Sequence, residues 1–107
     1  MKAGNEYILC AAVWYKDIPI KKEIPNSVRP VNCDRGLVFC GFRHAHCIYT
    51  MVSVTGIRSV ETEIGEYVQG FLTSMNRFVD REEGARIHTA NGHKIDFENR
   101  LFSEDLY

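Results

Sequence analysis

The sequence predicts an α+β domain, an antiparallel sheet of about four strands with two helices on one face. Three observations lead there. Short apolar, β-rich runs recur at 6–15, 36–42 and 66–73, each bounded by glycine, proline or turn residues. Two other stretches carry helix punctuation, one stopping at Gly56 and one starting at Asp80. The order is strands, helix, strand, helix, which is not the regular alternation of a parallel sheet. At 107 residues the chain reads as one domain, 1–107, long enough to bury a core without a staple.

Residues 6–15, EYILCAAVWY, are nearly continuously apolar and read as a central strand. Residues 16–35 hold all three prolines and read as a long connection, because proline cannot donate to a strand ladder. Residues 36–42, GLVFCGF, read as the next strand. From Arg43 to Val54, Ile48, Met51 and Val52 recur at helical spacing, with Gly56 as the stop. Residues 57–61 read as a short strand and 66–73 as another. After a Ser-Met-Asn turn, Asp80 is a helix N-cap, and Glu83 three residues on completes a capping-box pattern. This helix runs to about Ala90, with Gly92 as its left-handed cap. The tail carries Leu101, Phe102 and Leu106, expected to dock on the core.

A net charge of −1 argues against a duplex nucleic-acid binder, which usually carries a basic excess. Eight Arg stand against five Lys, a bias toward planar forks that fit phosphate and stack on rings. No apolar run approaches the roughly 20 residues of a membrane span, and the N-terminus lacks a signal pattern. A cytoplasmic protein with reduced cysteines is the expectation.

The chemistry-bearing clusters are few. Cys40, His44, His46 and Cys47 contain zinc-ligand types, but without the usual paired knuckle spacing. The better reading is core thiols with surface or pocket histidines. A thiol hydrolase needs a cysteine in reach of a base such as His44, His46 or His88. No Walker loop, GxSxG or HExxH is present. No metal or cofactor is expected. Arg43 and His44 stand at the start of the first helix, where unpaired N–H groups favour phosphate. The densest ligand-reading cluster is Gly70–Gly92: Phe71 and Phe78 offer faces for base stacking, while Asn76, Arg77 and Arg81 orient an anion. Arg100 is added as a further cation. Read this way, Arg77→Ala should lose ligand binding yet still fold.

VFCGFRHAHC, GFLTSMNRFVDREEGARI and the terminal LFSEDLY together resemble the Thoeris anti-defence sponge family of phage proteins. In that family a GF(I/L)TS-x-x-RFVDR-x-EA-like segment precedes a helix, and the chain closes on a SEDLY-like tail. The resemblance covers about two thirds of the chain, and Gly70–Arg86 is its most specific part. Gly84 departs from the pattern, where Glu or Ala is expected, and weakens the helix slightly. The resemblance implies a non-enzymatic protein of the infected bacterial cytoplasm that sequesters cyclic ADP-ribose-type nucleotides. It further implies a symmetric homo-oligomer with the ligand at a subunit interface, and a second site for cyclic oligonucleotides. The alternatives are a small nucleotide hydrolase or thiol enzyme using a Cys/His pair, and a protein-binding inhibitor with no small ligand.

Overall fold

A computed structural model describes residues 6–18, 29–57, 65–97 and 99–106. The strands are β1 (Ile8–Tyr15), β2 (Leu37–Gly41), β3 (Tyr67–Thr73) and β4 (Phe78–Asp80). The helices are α1 (His44–Thr55) and α2 (Arg81–Ala90), and a short 3-10 turn, Ser103–Asp105, closes the described chain. The sheet order is β2-β1-β3-β4, antiparallel throughout. The long apolar strand is therefore central, as its unbroken hydrophobicity requires.

Both helices cover the same face. Ala11, Val13 and Tyr15 of β1, Phe71 of β3 and Val79 of β4 form one core with Cys47 and Met51 of α1, Ala85 of α2 and Leu101 of the tail. The opposite face is thinner. Ala12 and Phe78 pack there with Cys33, flanked by Trp14, Val38, Val68 and Leu72. Its cover comes from 29–35. The Asn32 side-chain amide donates to the Phe78 carbonyl at 2.6 Å and accepts the Phe78 N–H at 2.8 Å, imitating a neighbouring strand. Trp14 Nε1 donates to the Arg35 carbonyl at 2.7 Å.

The predicted α+β architecture is the observed one, with two differences. The fourth strand is β4, only three residues long, in the segment read as the approach to α2. Of the short strand expected over 57–61, residues 58–61 lie outside the described residues; Ile57 is in no strand. The helix ends follow their local chemistry. Gly56 caps α1 at φ 77° and donates to Val52, and Gly92 lies beyond α2 at φ 89°. Asp80 accepts the Glu83 N–H at 2.8 Å, but Glu83 turns its own carboxylate to Arg86 and Arg77 instead of closing a capping box.

Gly84 is explained by packing. A Cβ there would lie 3.1 Å from a Phe71 ring carbon and 3.2 Å from a Leu101 methyl, so glycine lets α2 approach the sheet closely. Among the described residues, no helix is long and apolar enough to cross a membrane.

Candidate functional site

Seven of the eight residues proposed from sequence fall into three groups, and Arg43 stands apart from them. Phe71 is fully buried and meets the His44 ring edge-on at 5.1 Å, so it belongs to the core and offers no stacking face. Phe78 is buried on the other face, edge-on to Trp14 at 5.8 Å. For both, burial of an aromatic ring outweighs ligand stacking in this chain.

Asn76 and Arg77 form the second group, and both are engaged in structure. Asn76 has φ 56°, the left-handed geometry that asparagine tolerates, and its side chain donates to the Arg29 carbonyl at 2.8 Å. Its carbonyl accepts the Val31 N–H, tying the β3–β4 turn to the covering loop. Arg77 forms a two-pronged pair with Glu6, Nε at 2.8 Å and Nη2 at 2.9 Å, and reaches Glu83 at 3.5 Å. Thr73 adds a hydroxyl donor to the same Glu6 carboxylate. The pair holds the Glu6 carboxyl below its ordinary pKa, with the Arg77 hydrogen bonds as the main cause.

Arg77→Ala is therefore expected to act on stability. The Glu6 side chain is only 13% exposed, and among the described residues the substitution leaves its carboxylate with Thr73 alone. Hydrogen bonds to charged groups contribute about 1.5–3 kcal/mol, and at roughly 4–8 °C per kcal/mol the melting temperature should fall by about 10 °C. A circular-dichroism melt checks this. An unchanged transition would mean the pair is idle.

Arg81, His44 and Arg100 form the third group, and here a site is assembled. His44 is buried, and its Nε2 donates to the Gly70 carbonyl at 2.7 Å. That leaves Nδ1 as an acceptor facing Arg81 Nη2 at 3.5 Å. Arg81 also donates to the Leu101 carbonyl and to Gln69 Oε1, each at 2.8 Å. Its guanidinium lies over the Phe102 ring at 4.4 Å, and Arg100 approaches the same ring at 5.8 Å. Burial depresses the Arg81 pKa, and the neighbouring positive charge of Arg100 depresses it further, partly opposed by Glu104. The arrangement favours an anion, since one bound between the guanidiniums relieves both effects.

Gln69, Arg81, Arg100 and Phe102 line an open groove of about 650 Å³ with Tyr67, Val68, Asp80 and Glu82, while buried His44 stands behind Arg81 and does not line it. It lies at the N-terminus of α2, where N–H groups and the helix dipole favour negative charge. Asp80 is committed as the cap of that helix. Its size is that of a small-molecule site. Tyr67 and Gln69 were not singled out by sequence reasoning, and Phe102 was read only as part of the apolar tail. The one available signal was Gln69, a polar residue on the inward-facing register of an apolar strand.

Arg43 does not line this groove. Its guanidinium lies over the Phe42 ring at 4.5 Å, and its backbone N–H donates to His46 Nδ1 at 3.1 Å, satisfying one donor at the start of α1. A second depression of about 660 Å³ lies along α2, lined by Glu82, Arg86, His93, Lys94, Asp96 and neighbours. Its described lining holds no Phe, Tyr or Trp, and Arg86 is already paired with Glu83.

The thiols take other partners. Cys47 Sγ donates to the carbonyls of Ala11 and Arg43, and Cys33 to Asn32. Cys40 pairs opposite Ala12, on the sheet face away from buried Cys47. The four zinc-type residues are thus split across the sheet. Among the described residues, no group of three or more His, Cys, Asp or Glu side chains is placed to hold a metal ion.

The histidines set a pH dependence. Burial is the main cause holding His44 below the ordinary imidazole pKa; Arg81 adds to it, while the Gly70 carbonyl and Glu104 oppose it. His88 is lowered by burial and then by His93, whose ring stacks on it at 4.3 Å. Groups depressed in the folded state stabilise fully above their unfolded pKa, about 6.5, and this is lost as pH falls through the folded values. The melting temperature should therefore decline from pH 7.5 to pH 5. His44→Gln, which keeps a donor for Gly70 but does not titrate, should flatten part of that slope. An unaltered slope in this variant would remove His44 from the explanation. Glu6 adds a separate loss at more acidic pH, as its depressed carboxyl protonates.

The family model described as Phage T4 y16D protein matches residues 7–107. No curated protein and no solved structure matches the chain. The match runs from the start of the described sheet through the groove-lining tail, and on that coverage the chain belongs to the phage T4 y16D protein family.

Proposed function

We propose that this phage-family protein is a non-enzymatic binder that sequesters cyclic ADP-ribose-type signalling nucleotides without cleaving them. One observation carries the reading: Arg81 and Arg100 converge on the Phe102 ring in the groove at the α2 N-terminus. A nucleotide of this class brings a pyrophosphate for the two guanidiniums and the helix N–H groups, and a base for the Tyr67 and Phe102 rings. The resemblance of Gly70–Arg86 and the SEDLY-like tail to Thoeris anti-defence sponges gives the ligand class. Sequestration requires a dissociation constant below the signal level, and sub-micromolar affinity corresponds to more than about 8 kcal/mol. A second copy closing the open groove supplies the missing contacts in this proposal. Phe97, 62% exposed and edge-on to Phe102 at 5.2 Å, is the apolar rim it would cover.

A thermal-shift screen against cyclic ADP-ribose isomers and cyclic oligonucleotides tests the reading. A site-specific ligand raises the melting temperature by mass action, about 2.7 kcal/mol of stabilisation at a hundredfold excess over the dissociation constant. A flat response across the panel would favour the protein-binding inhibitor.

A further inference from the structure

Two cysteines on the thin face of the sheet have no part in the groove. Cys40 pairs directly opposite Ala12, and Cys10 lies two residues before Ala12 on the same strand. Side chains alternate across a strand, so Cys10 and Cys40 project from the same face of adjacent strands β1 and β2. The covering segment 29–35 is fastened to Phe78, Asn76 and Trp14. Cys40 remains exposed and Cys10 partly so, whereas Cys33 and Cys47 are buried.

The two accessible sulfurs also interact. The Cys10 thiolate accepts the S–H of Cys40 and a backbone hydrogen bond from Gly41, which brings Cys10 down to about 7 against the opposing effect of its burial. Cys40, as the donor, is pushed up. The other two thiols are each pushed up to about 11, with desolvation as the main cause. The thiolate is therefore favoured on Cys10, with a second thiol beside it on the adjacent strand. That is the arrangement of an attacking and a resolving cysteine.

We propose that Cys10 and Cys40 form a reactive dithiol that low-molecular-weight disulfides oxidise to an intramolecular bridge between β1 and β2. The Cys10 thiolate attacks one sulfur of the disulfide RSSR. A Cys10–SR bond forms, the S–S bond breaks, and RS⁻ leaves with the electron pair. Cys40 then loses its proton to solvent, and its thiolate attacks the Cys10 sulfur and expels the second RS⁻. The protein is oxidised by two electrons, and one RSSR is reduced to two thiols. Cys10 and Cys40 are diagonal neighbours, so closing the bridge draws the adjoining ends of β1 and β2 together, away from the groove at the α2 N-terminus, and this inference is independent of the proposed ligand.

The 107-residue protein, treated with oxidised glutathione near pH 7.5 and quenched with an alkylating agent, gives the test. Trypsin places the four cysteines in different peptides, Cys10 in 3–16 and Cys40 in 36–43. The expected product is these two peptides joined, with the intact protein lighter by two hydrogens and restored by dithiothreitol. Cys40→Ser should halt at one glutathionyl group on Cys10, and Cys10→Ser should leave Cys40 unbridged. Before oxidation, Cys10 should alkylate on the order of tenfold faster than an ordinary thiol, its larger thiolate fraction partly offset by lower intrinsic nucleophilicity. Bridging through Cys33 or Cys47, a mixed disulfide on Cys10 that Cys40 never resolves, or recovery of both thiols free would each overturn the proposal.

Discussion

Gly70→Ala is expected to lower the melting temperature by roughly 15 °C or to prevent folding. A Cβ on Gly70 would stand 2.0 Å from the Val79 carbonyl oxygen and 2.9 Å from the Phe78 ring. The first neighbour is backbone of an adjacent strand and cannot rotate away. Gly70 is paired with Ala12 on one side and Asp80 on the other, and its own carbonyl holds His44. Relieving the clash therefore shifts β4, the start of α2 and the His44–Arg81 contact together. Overpacking costs typically 1–3 kcal/mol and sometimes more; with backbone as the obstacle we expect about 3 kcal/mol or above, at roughly 4–8 °C per kcal/mol. Gly41→Ala is the milder comparison, because its Cβ would meet the His46 Cβ at 3.1 Å, the Cys47 backbone nitrogen at 3.3 Å and the Cys47 Sγ at 3.4 Å, contacts that a shift of a few tenths of an ångström relieves. Melts of the two variants should separate widely. Equal melts would mean that β4 does not cross Gly70 as described.

Arg100→Gln should weaken cyclic ADP-ribose binding by about ten- to a hundredfold, with little change in melting temperature. Arg100 is exposed, and its one described ring contact, to Phe102, lies at 5.8 Å. Exposed cation–π contacts contribute only about 0.5–1 kcal/mol. A hydrogen bond from guanidinium to phosphate is stronger, about 1.5–3 kcal/mol, which sets the range. Calorimetric titration of the variant measures the loss directly. Wild-type affinity in Arg100→Gln would move the ligand out of this groove. Arg81 is the poorer probe, because it also holds Leu101 and Gln69 and its removal would disturb the tail as well as the ligand.

These two residues illustrate which features the sequence displays. Arg81 and Arg100 were recognisable as candidate cations because a helix start and an Arg-rich composition are local properties. Their convergence on Phe102 was not, since that residue reads only as an apolar position in a docking tail. Arg77 shows the reverse. Its donors are visible in sequence, but the carboxylate that engages them belongs to Glu6, 71 residues away. No local pattern announces that pairing. Phe71 and Phe78 were ambiguous for a related reason: an aromatic ring has the same composition whether it stacks on a base or fills a core. The flanking strand register decides, placing Phe71 inward with Val79 and Phe78 under Asn32.

The larger elements were legible because their signals are short-range. A nearly unbroken apolar run gave β1, the helical spacing before Gly56 gave α1, and Asp80 with the left-handed Gly92 bracketed α2. Strand β4 was missed because three residues carry too little pattern. It exists through pairing with β3 and through the Asn32 amide along its edge. Cysteine burial was half legible. Cys33 and Cys47 follow the tendency of free cysteine to be buried, while Cys40 lies near a sheet edge and stays exposed.

The most direct measurement loads the protein with cyclic ADP-ribose, removes free nucleotide by filtration, denatures the protein by heat and analyses the released material chromatographically. A sponge of the proposed kind yields intact cyclic nucleotide, close to stoichiometric with its sites, and loses that load in Arg100→Gln. Recovery of hydrolysed product, or of no nucleotide from a folded protein, would contradict it.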